Sequence, residues 1–299
     1  MDRAALIRTT WSGKYQQELP DPHGKVKPYQ ANFCADVESR MSFEGKAVLE
    51  VGGCLNRAFV TEDLKTKSWT AIQEVSYWES IGRKIGDVAT VDYASFADVP
   101  PDGLGPYQVV TSPIERLPEQ FFEKFDIVVS MAAFTFVQQI GPALDKIYRA
   151  LRPGGLFAVM TAQVWSSEAG LFYHTVKDKM GRLFSSYGLP GHSNPVPPWG
   201  HLLYRPAELY DYLCRFTDCE AAGDIVFEIF SSRRINRYYA EDYARYFALS
   251  PFGRYGKLES TIAQHNLPDA NLQRALEARH PGYRDFNTQI FTAYGQRLV

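Results

Sequence analysis

The stretch KAVLEVGG (Lys46–Gly53) constrains this chain more than any other: a short apolar run that closes on an acid and two glycines. Such a run predicts a buried strand feeding a tight turn. Glycine at the turn leaves backbone N–H groups at a helix start open to close approach of a ligand. An ordinary structural turn uses the same residues, so the weight falls on the segments downstream.

Those segments alternate. Strands are predicted at SWTAIQEV (Ser68–Val75), YQVVTS (Tyr107–Ser112), FDIVVSMAA (Phe125–Ala133) and LFAVMTAQV (Leu156–Val164). Helical spacing of Phe33, Val37 and Met41 predicts a helix in PYQANFCADVESRM. Leu144, Ile147, Tyr148 and Leu151 predict another, stopped by the Pro-Gly-Gly of RALRPGG. Strands alternating with helices imply an α/β chain whose parallel sheet is covered on both faces. Ligands of such sheets sit outside the carboxyl ends of the strands.

Beyond Val164 the pattern changes. Trp165–His201 is rich in Gly, Pro, Ser and aromatic residues and is expected to insert over the carboxyl edge of the sheet. A helix is expected at Arg205–Phe216, a strand at Ala221–Phe230, a helix over Arg233–Phe252 and a closing strand at Phe286–Leu298.

Bulk properties exclude several classes. The formal net charge of −2 provides no basic field for a nucleic acid backbone. The four cysteines form no C-x-x-C pair, which argues against a disulfide scaffold or a zinc site. The N-terminus lacks the apolar run of a signal peptide, and no apolar stretch reaches the roughly 18 residues that span a bilayer. No metal, no membrane and a cytoplasmic location are therefore the expectations.

The order and spacing of VLEVGG, the acid in IQEVSYW, IERLPEQFFEKFDIVVS and YRALRPGGLFAVMT resemble the class I S-adenosylmethionine-dependent methyltransferases of the small-molecule type. The resemblance runs from about Lys46 to Val164. It implies a Rossmann-like, seven-stranded, mostly parallel sheet with helices on both faces and a helical insertion or cap. Residues 1–42 would be an N-terminal arm and capping helix, 43–164 the cofactor-binding core, and 165–299 acceptor-binding insertions and closing strands of the same domain.

The resemblance also implies roles. Gly52 and Gly53 would let the chain pass the methionine part of the cofactor, and Glu50 would orient its amino group, directly or through water. Glu74, about 20 residues on, would accept both ribose hydroxyls. Val75 or Tyr77, with Trp78 as a further candidate, would pack on the adenine. Ile114 and Glu115 sit where the family contacts the adenine edge, and Ser130 and Met131 near the sulfonium. Two departures stand out. Cys54, Leu55 and Asn56 occupy the place where the family often carries a third glycine, with Asn56 offering a polar contact instead; and Pro113 takes the place of a common Asp. Glu115 or backbone carbonyls would then read the adenine amino group.

For a hydroxyl acceptor a general base helps remove the proton. His201, in PPWGHLLY, is the first candidate and His192 the second, with His174 in the same insertion. Phe134, Trp199, Tyr204, Tyr238 and Tyr239 are candidates to line an acceptor pocket, and packing is the simpler role for each. Arg237, clustered with Arg233 and Arg234, is a candidate for an anionic acceptor group, against a solvated helix face. The expected activity is methyl transfer to a hydroxyl of a sugar, glycan precursor or secondary metabolite, with N- and C-methylation open. A cofactor-binding but inactive partner subunit is the alternative. A nicotinamide enzyme would show G-x-G-x-x-G after the first strand, which EVGGCLNRAF does not match. The N-terminal arm could cap the chain's own pocket or reach a second subunit of a homodimer.

Overall fold

In the computed structural model, which describes residues 3–5, 26–53, 55–73, 93–94 and 104–298, KAVLEV forms strand β1 (Ala47–Val51), buried at every position. β2 (Ser68–Gln73) is equally buried, as expected of central parallel strands covered on both faces. The sheet continues with β3 (Tyr93–Ala94), β4 (Tyr107–Thr111), β5 (Phe125–Met131), β6 (Leu151–Ala162), β10 (Lys257–Gln264) and β11 (Thr288–Gln296). Its order is β10-β11-β6-β5-β1-β2-β4-β3, and the pairings β1/β2, β1/β5, β2/β4, β3/β4 and β5/β6 are all parallel. Seven strands form the expected sheet, and the two-residue β3 adds an edge. The chain winds outward from β1 through β2 to β4, then crosses to β5 on the other side of β1. That reversal is a topological switch point, and ligands of such sheets sit beyond the carboxyl ends of the strands there, here β1 and β5.

Two strand boundaries differ from expectation for local reasons. β5 stops at Met131 because Ala132 turns into the left-handed region (φ 56°). β6 begins at Leu151, directly after helix α2 (Ile140–Ala150), so Arg-Pro-Gly-Gly lies within the strand. Its register against β5 jumps from Phe125/Leu151 to Ile127/Leu156, which loops out Arg152–Gly155 as a bulge. Asp126, opposite the bulge, accepts from Arg152 (3.0 Å) and from Ala47 N (2.8 Å), tying β6 and β5 to the start of β1.

Helix α1 (Pro28–Arg40) starts on a proline, whose missing N–H costs nothing at that position. It buries Ala31, Phe33, Cys34, Ala35 and Val37 in one cluster with Val48, Trp69, Ile127 and Val129. It is therefore part of the packed core. Buried Glu38 accepts from Phe43 N (2.7 Å) and fixes the approach to β1.

The chain divides into two compact units: Met1–Thr161 with Tyr246–Ser260 and Thr292–Val299, and Ala162–Arg245 with Thr261–Phe291. The second unit holds a small sheet, β7 (Val176–Lys177), β8 (Leu183–Phe184) and β9 (His192–Ser193), with helices α3 (Gly200–Leu203), α4 (Pro206–Leu213), α5 (Cys219–Phe230) and α8 (Ala270–Arg279). Of Arg233–Phe252, helices α6 (Ala240–Leu249) and α7 (Pro251–Tyr255) take up the part from Ala240 onward, while Arg233–Tyr239 is not helical. The strand expected at Ala221–Phe230 is instead α5: Asp218 caps it, accepting from Glu220 N (3.1 Å) and Ala221 N (3.0 Å). Ala221, Ala222, Ile225 and Ile229 recur at helical spacing on its buried side. No helix among the described residues is long and apolar enough to cross a membrane.

Candidate functional site

The site begins where β1 ends. Gly52 adopts φ 75° and donates its N–H to Ile72 O (2.8 Å). A Cβ on Gly52 would stand 2.5 Å from Ala133 Cβ, so the turn after β1 and the turn after β5 touch only because this residue is glycine. A Cβ on Gly53 would overlap Glu50 Oε1, so the second glycine leaves room for a carboxyl group.

That carboxyl is the most perturbed acid of the turn. Glu50 is 1% exposed, and Oε2 accepts from Trp69 Nε1 (2.8 Å) and Leu55 N (2.9 Å). Burial raises its pKa to about 7, against the opposing pull of the Leu55 and Trp69 hydrogen bonds. Glu50 therefore changes charge around neutral pH, with Oε1 directed at the Gly53 turn.

Asn56, standing where the family often has glycine, is an N-cap: Oδ1 accepts from Phe59 N (3.1 Å) at the start of a short helical segment. Ser130 donates its hydroxyl to Val51 O (2.9 Å), pinning the carboxyl ends of β5 and β1 together. Met131 is buried beside it. After β4, Ile114 is buried in a 3-10 turn, and Glu115 accepts from Gln139 N (3.1 Å) at the entry to α2. Glu74, Val75, Tyr77 and Trp78 lie outside the described residues. Gln73, the last residue of β2, carries no motif that marks it in the sequence. Its Oε1 is buried and, among the described residues, has no hydrogen-bond partner. A glycine turn, a titrating carboxyl and an orphaned acceptor at the ends of β1 and β2 fit a ligand that brings an ammonium group and hydroxyl donors.

Phe134 has no exposed surface. Its ring lies 5.9 Å from Phe157 and 6.1 Å from Phe247, so it fills core rather than forming an acceptor wall.

In the second unit, His201 is 3% exposed. Its Nε2 donates to Trp165 O (2.8 Å), and Nδ1 is buried without a partner among the described residues. Burial lowers its pKa to about 4, so the ring is neutral and weakly basic at pH 7. His192 is half-exposed on β9, with Nδ1 donating to Pro190 O (3.0 Å). Trp199 is a buried wedge that donates Nε1 to Phe286 O (2.7 Å). Tyr204 stacks on Tyr212 (5.5 Å). Arg237 corrects its sequence assignment: its guanidinium donates to Ile229 O (2.8 Å) and Ser232 O (2.6 Å), satisfying carbonyls at the end of α5. A fixed C-terminal cap leaves that group little for an anionic ligand.

One further pair has no signature in the sequence. His265 Nδ1 hydrogen-bonds Glu168 Oε1, and Asn266 Nδ2 donates to both oxygens of the same carboxylate (2.9 Å each). Ninety-seven residues separate His265 from Glu168, so no local motif announces them.

Residues 77–159 match a family model described as Methyltransferase domain. Over those residues, fewer than half of the chain, the sequence is similar to that methyltransferase family. The match begins beyond Glu50–Asn56 and Glu74 and does not cover them. No curated protein matches the sequence. The chain is similar to a putative S-adenosylmethionine dependent methyltransferase from Listeria monocytogenes, at 11% identity and TM-score 0.45, over 91% of this chain and 100% of that one. It is similar to an S-adenosylmethionine dependent methyltransferase from Mesorhizobium loti at 12% identity and TM-score 0.41, over 89% and 98% of the two chains. Phosphoethanolamine N-methyltransferase 2 of Haemonchus contortus, solved with S-adenosyl-L-methionine, is similar at 10% identity and TM-score 0.45, over 100% of this chain and 60% of that one.

Proposed function

We propose that this chain is a methyltransferase that holds S-adenosylmethionine beyond the carboxyl ends of β1 and β5 and methylates a small-molecule acceptor. The observation that carries the proposal is Glu50: a buried carboxyl at the end of β1, one oxygen against a glycine turn, at the switch point of the sheet. When bound, the cofactor supplies a methyl group on a sulfonium, already activated for transfer. The chain's own task is then to hold, orient and exclude water. Glu50 as carboxylate would receive the ammonium group of the methionine part. Gln73 Oε1 would accept from a ribose hydroxyl beside Glu74, which the family resemblance assigns to the same ring.

For the acceptor, a hydroxyl of a sugar, glycan precursor or secondary metabolite is the proposed target. Such a target calls for a base. His201 is poorly suited, since burial holds its basicity down. His192 stays a candidate, and His265 joins it. Glu168 receives the Nδ1 proton and so fixes the tautomer in which the His265 Nε2 lone pair is available, on a side chain 54% exposed.

Titration calorimetry with S-adenosylmethionine and S-adenosylhomocysteine tests the proposal. Binding of both is expected, and binding of neither overturns it. The inactive-subunit alternative draws on Asn56, which caps a helix where the family often has glycine. Binding without methyl transfer across an acceptor panel would favour it.

A further inference from the structure

Helix α4 ends at Leu213 and α5 starts at Cys219, so Cys214 and Cys219 flank one sharp corner of the second unit. Both are free thiols, Cys219 exposed and Cys214 partly so, and their sulfurs lie 3.4 Å apart. The backbone on each side is already fixed. Cys214 N donates to Tyr210 O (2.9 Å), and Asp218 caps the helix that Cys219 opens. The same Asp218 also accepts from Lys179 N (2.7 Å), which anchors the corner to the segment after β7. A disulfide needs its sulfurs about 2 Å apart. The two sulfurs stand within about 1.5 Å of that separation. Desolvation and the hydrogen bond with Cys219 hold the Cys214 thiol above its ordinary range, against the lowering pull of the Tyr210 hydroxyl, which is hydrogen-bonded to both sulfurs. Buried Cys34 has no such partner thiol among the described residues.

We propose that Cys214 and Cys219 are a thiol-redox site that closes reversibly to an intrachain disulfide by exchange with a small-molecule disulfide. The exposed Cys219 thiolate attacks one sulfur of the small disulfide, forming a mixed disulfide and releasing one small thiolate. The Cys214 thiolate then attacks Cys219 Sγ, and the second small thiolate leaves. The two protons lost by the cysteines go to the two small thiols. The two electrons that reduce the small disulfide come from the protein dithiol.

The test uses the full chain equilibrated with graded ratios of glutathione disulfide to glutathione, alkylated and digested with trypsin. Cleavage after Arg215 falls between the two cysteines, so the disulfide joins two separate peptides. The expected result is that joined pair, with both cysteines lost together from alkylation and recovered together with excess glutathione. In Cys219→Ser, Cys214 should carry at most a single glutathione. Two opposite results overturn the proposal: separate glutathione adducts on Cys214 and Cys219, or both thiols alkylated at every ratio.

Discussion

Trp69 Nε1 donates to Glu50 Oε2 at 2.8 Å, reaching along β2 from its place opposite Val48 to hold the acid two residues farther on. The indole and Leu55 N oppose a burial that nevertheless raises the carboxyl from 4.5 to about 7. The folded protein holds this proton more tightly than the unfolded chain, so the stability it contributes is full below pH 4.5 and is lost as pH rises to about 7. The loss amounts to about 3 kcal/mol for this fully buried group. Glu50→Gln keeps an acceptor for Trp69 and Leu55 without the titration. Protection of β1 amides against hydrogen exchange should fall between pH 4.5 and 7 in the wild type and stay level in Glu50→Gln.

His201 should behave in the opposite sense. Its pKa falls from 6.5 to about 4, so its contribution is present above pH 6.5 and is lost as pH drops toward 4. Amides of α3 should lose protection on acidification over that window. His201→Ala also strips Trp165 O of its donor, which costs about 1–3 kcal/mol. A drop in the melting temperature with unchanged cofactor affinity is the expected outcome. Full stability with weakened affinity would contradict a structural role.

Gly52→Ala places a Cβ 2.5 Å from Ala133 Cβ at φ 75°, so it should destabilise the protein and weaken cofactor binding together. Removing the opposing methyl in Gly52→Ala/Ala133→Gly should recover part of both, leaving the conformational penalty of about 1 kcal/mol. A double-mutant cycle from denaturant unfolding measures the coupling. Strictly additive effects would show that the two turns do not constrain one another.

Asn56→Ala removes the acceptor for Phe59 N and should cost about 1 kcal/mol, while Asn56→Asp should be nearly neutral. Thermal unfolding of the three proteins distinguishes this cap from a residue whose amide serves a ligand.

Much of the first unit is legible in the sequence because central parallel strands are continuous apolar runs, and KAVLEV, SWTAIQ and FDIVVSM are such runs. Boundaries are less so. The bulge at Arg152–Gly155 depends on register against β5, which no local pattern encodes. In α5 the run DIVFEIF carries β-branched residues that suit a strand, and only Asp218 and the Ala221/Ile225/Ile229 spacing reveal a helix. Among candidate site residues, Phe134, Trp199 and Arg237 look functional in sequence because aromatic and cationic residues serve packing and capping as readily as binding. The pairs Glu50–Trp69 and Glu168–His265 arise only when distant segments meet.

The central claim is that Glu50, as a carboxylate at the β1–β5 switch point, holds the ammonium end of S-adenosylmethionine. Calorimetric titration of the cofactor into wild type and Glu50→Gln at pH 8 tests it most directly. A hydrogen bond to a charged group is worth about 1.5–3 kcal/mol, so affinity should fall roughly 10- to 100-fold in the variant. Wild-type affinity should also weaken as pH falls through 7, where the carboxyl takes up its proton. Equal affinity of the two proteins at pH 8, or no binding by the wild type, would contradict the claim.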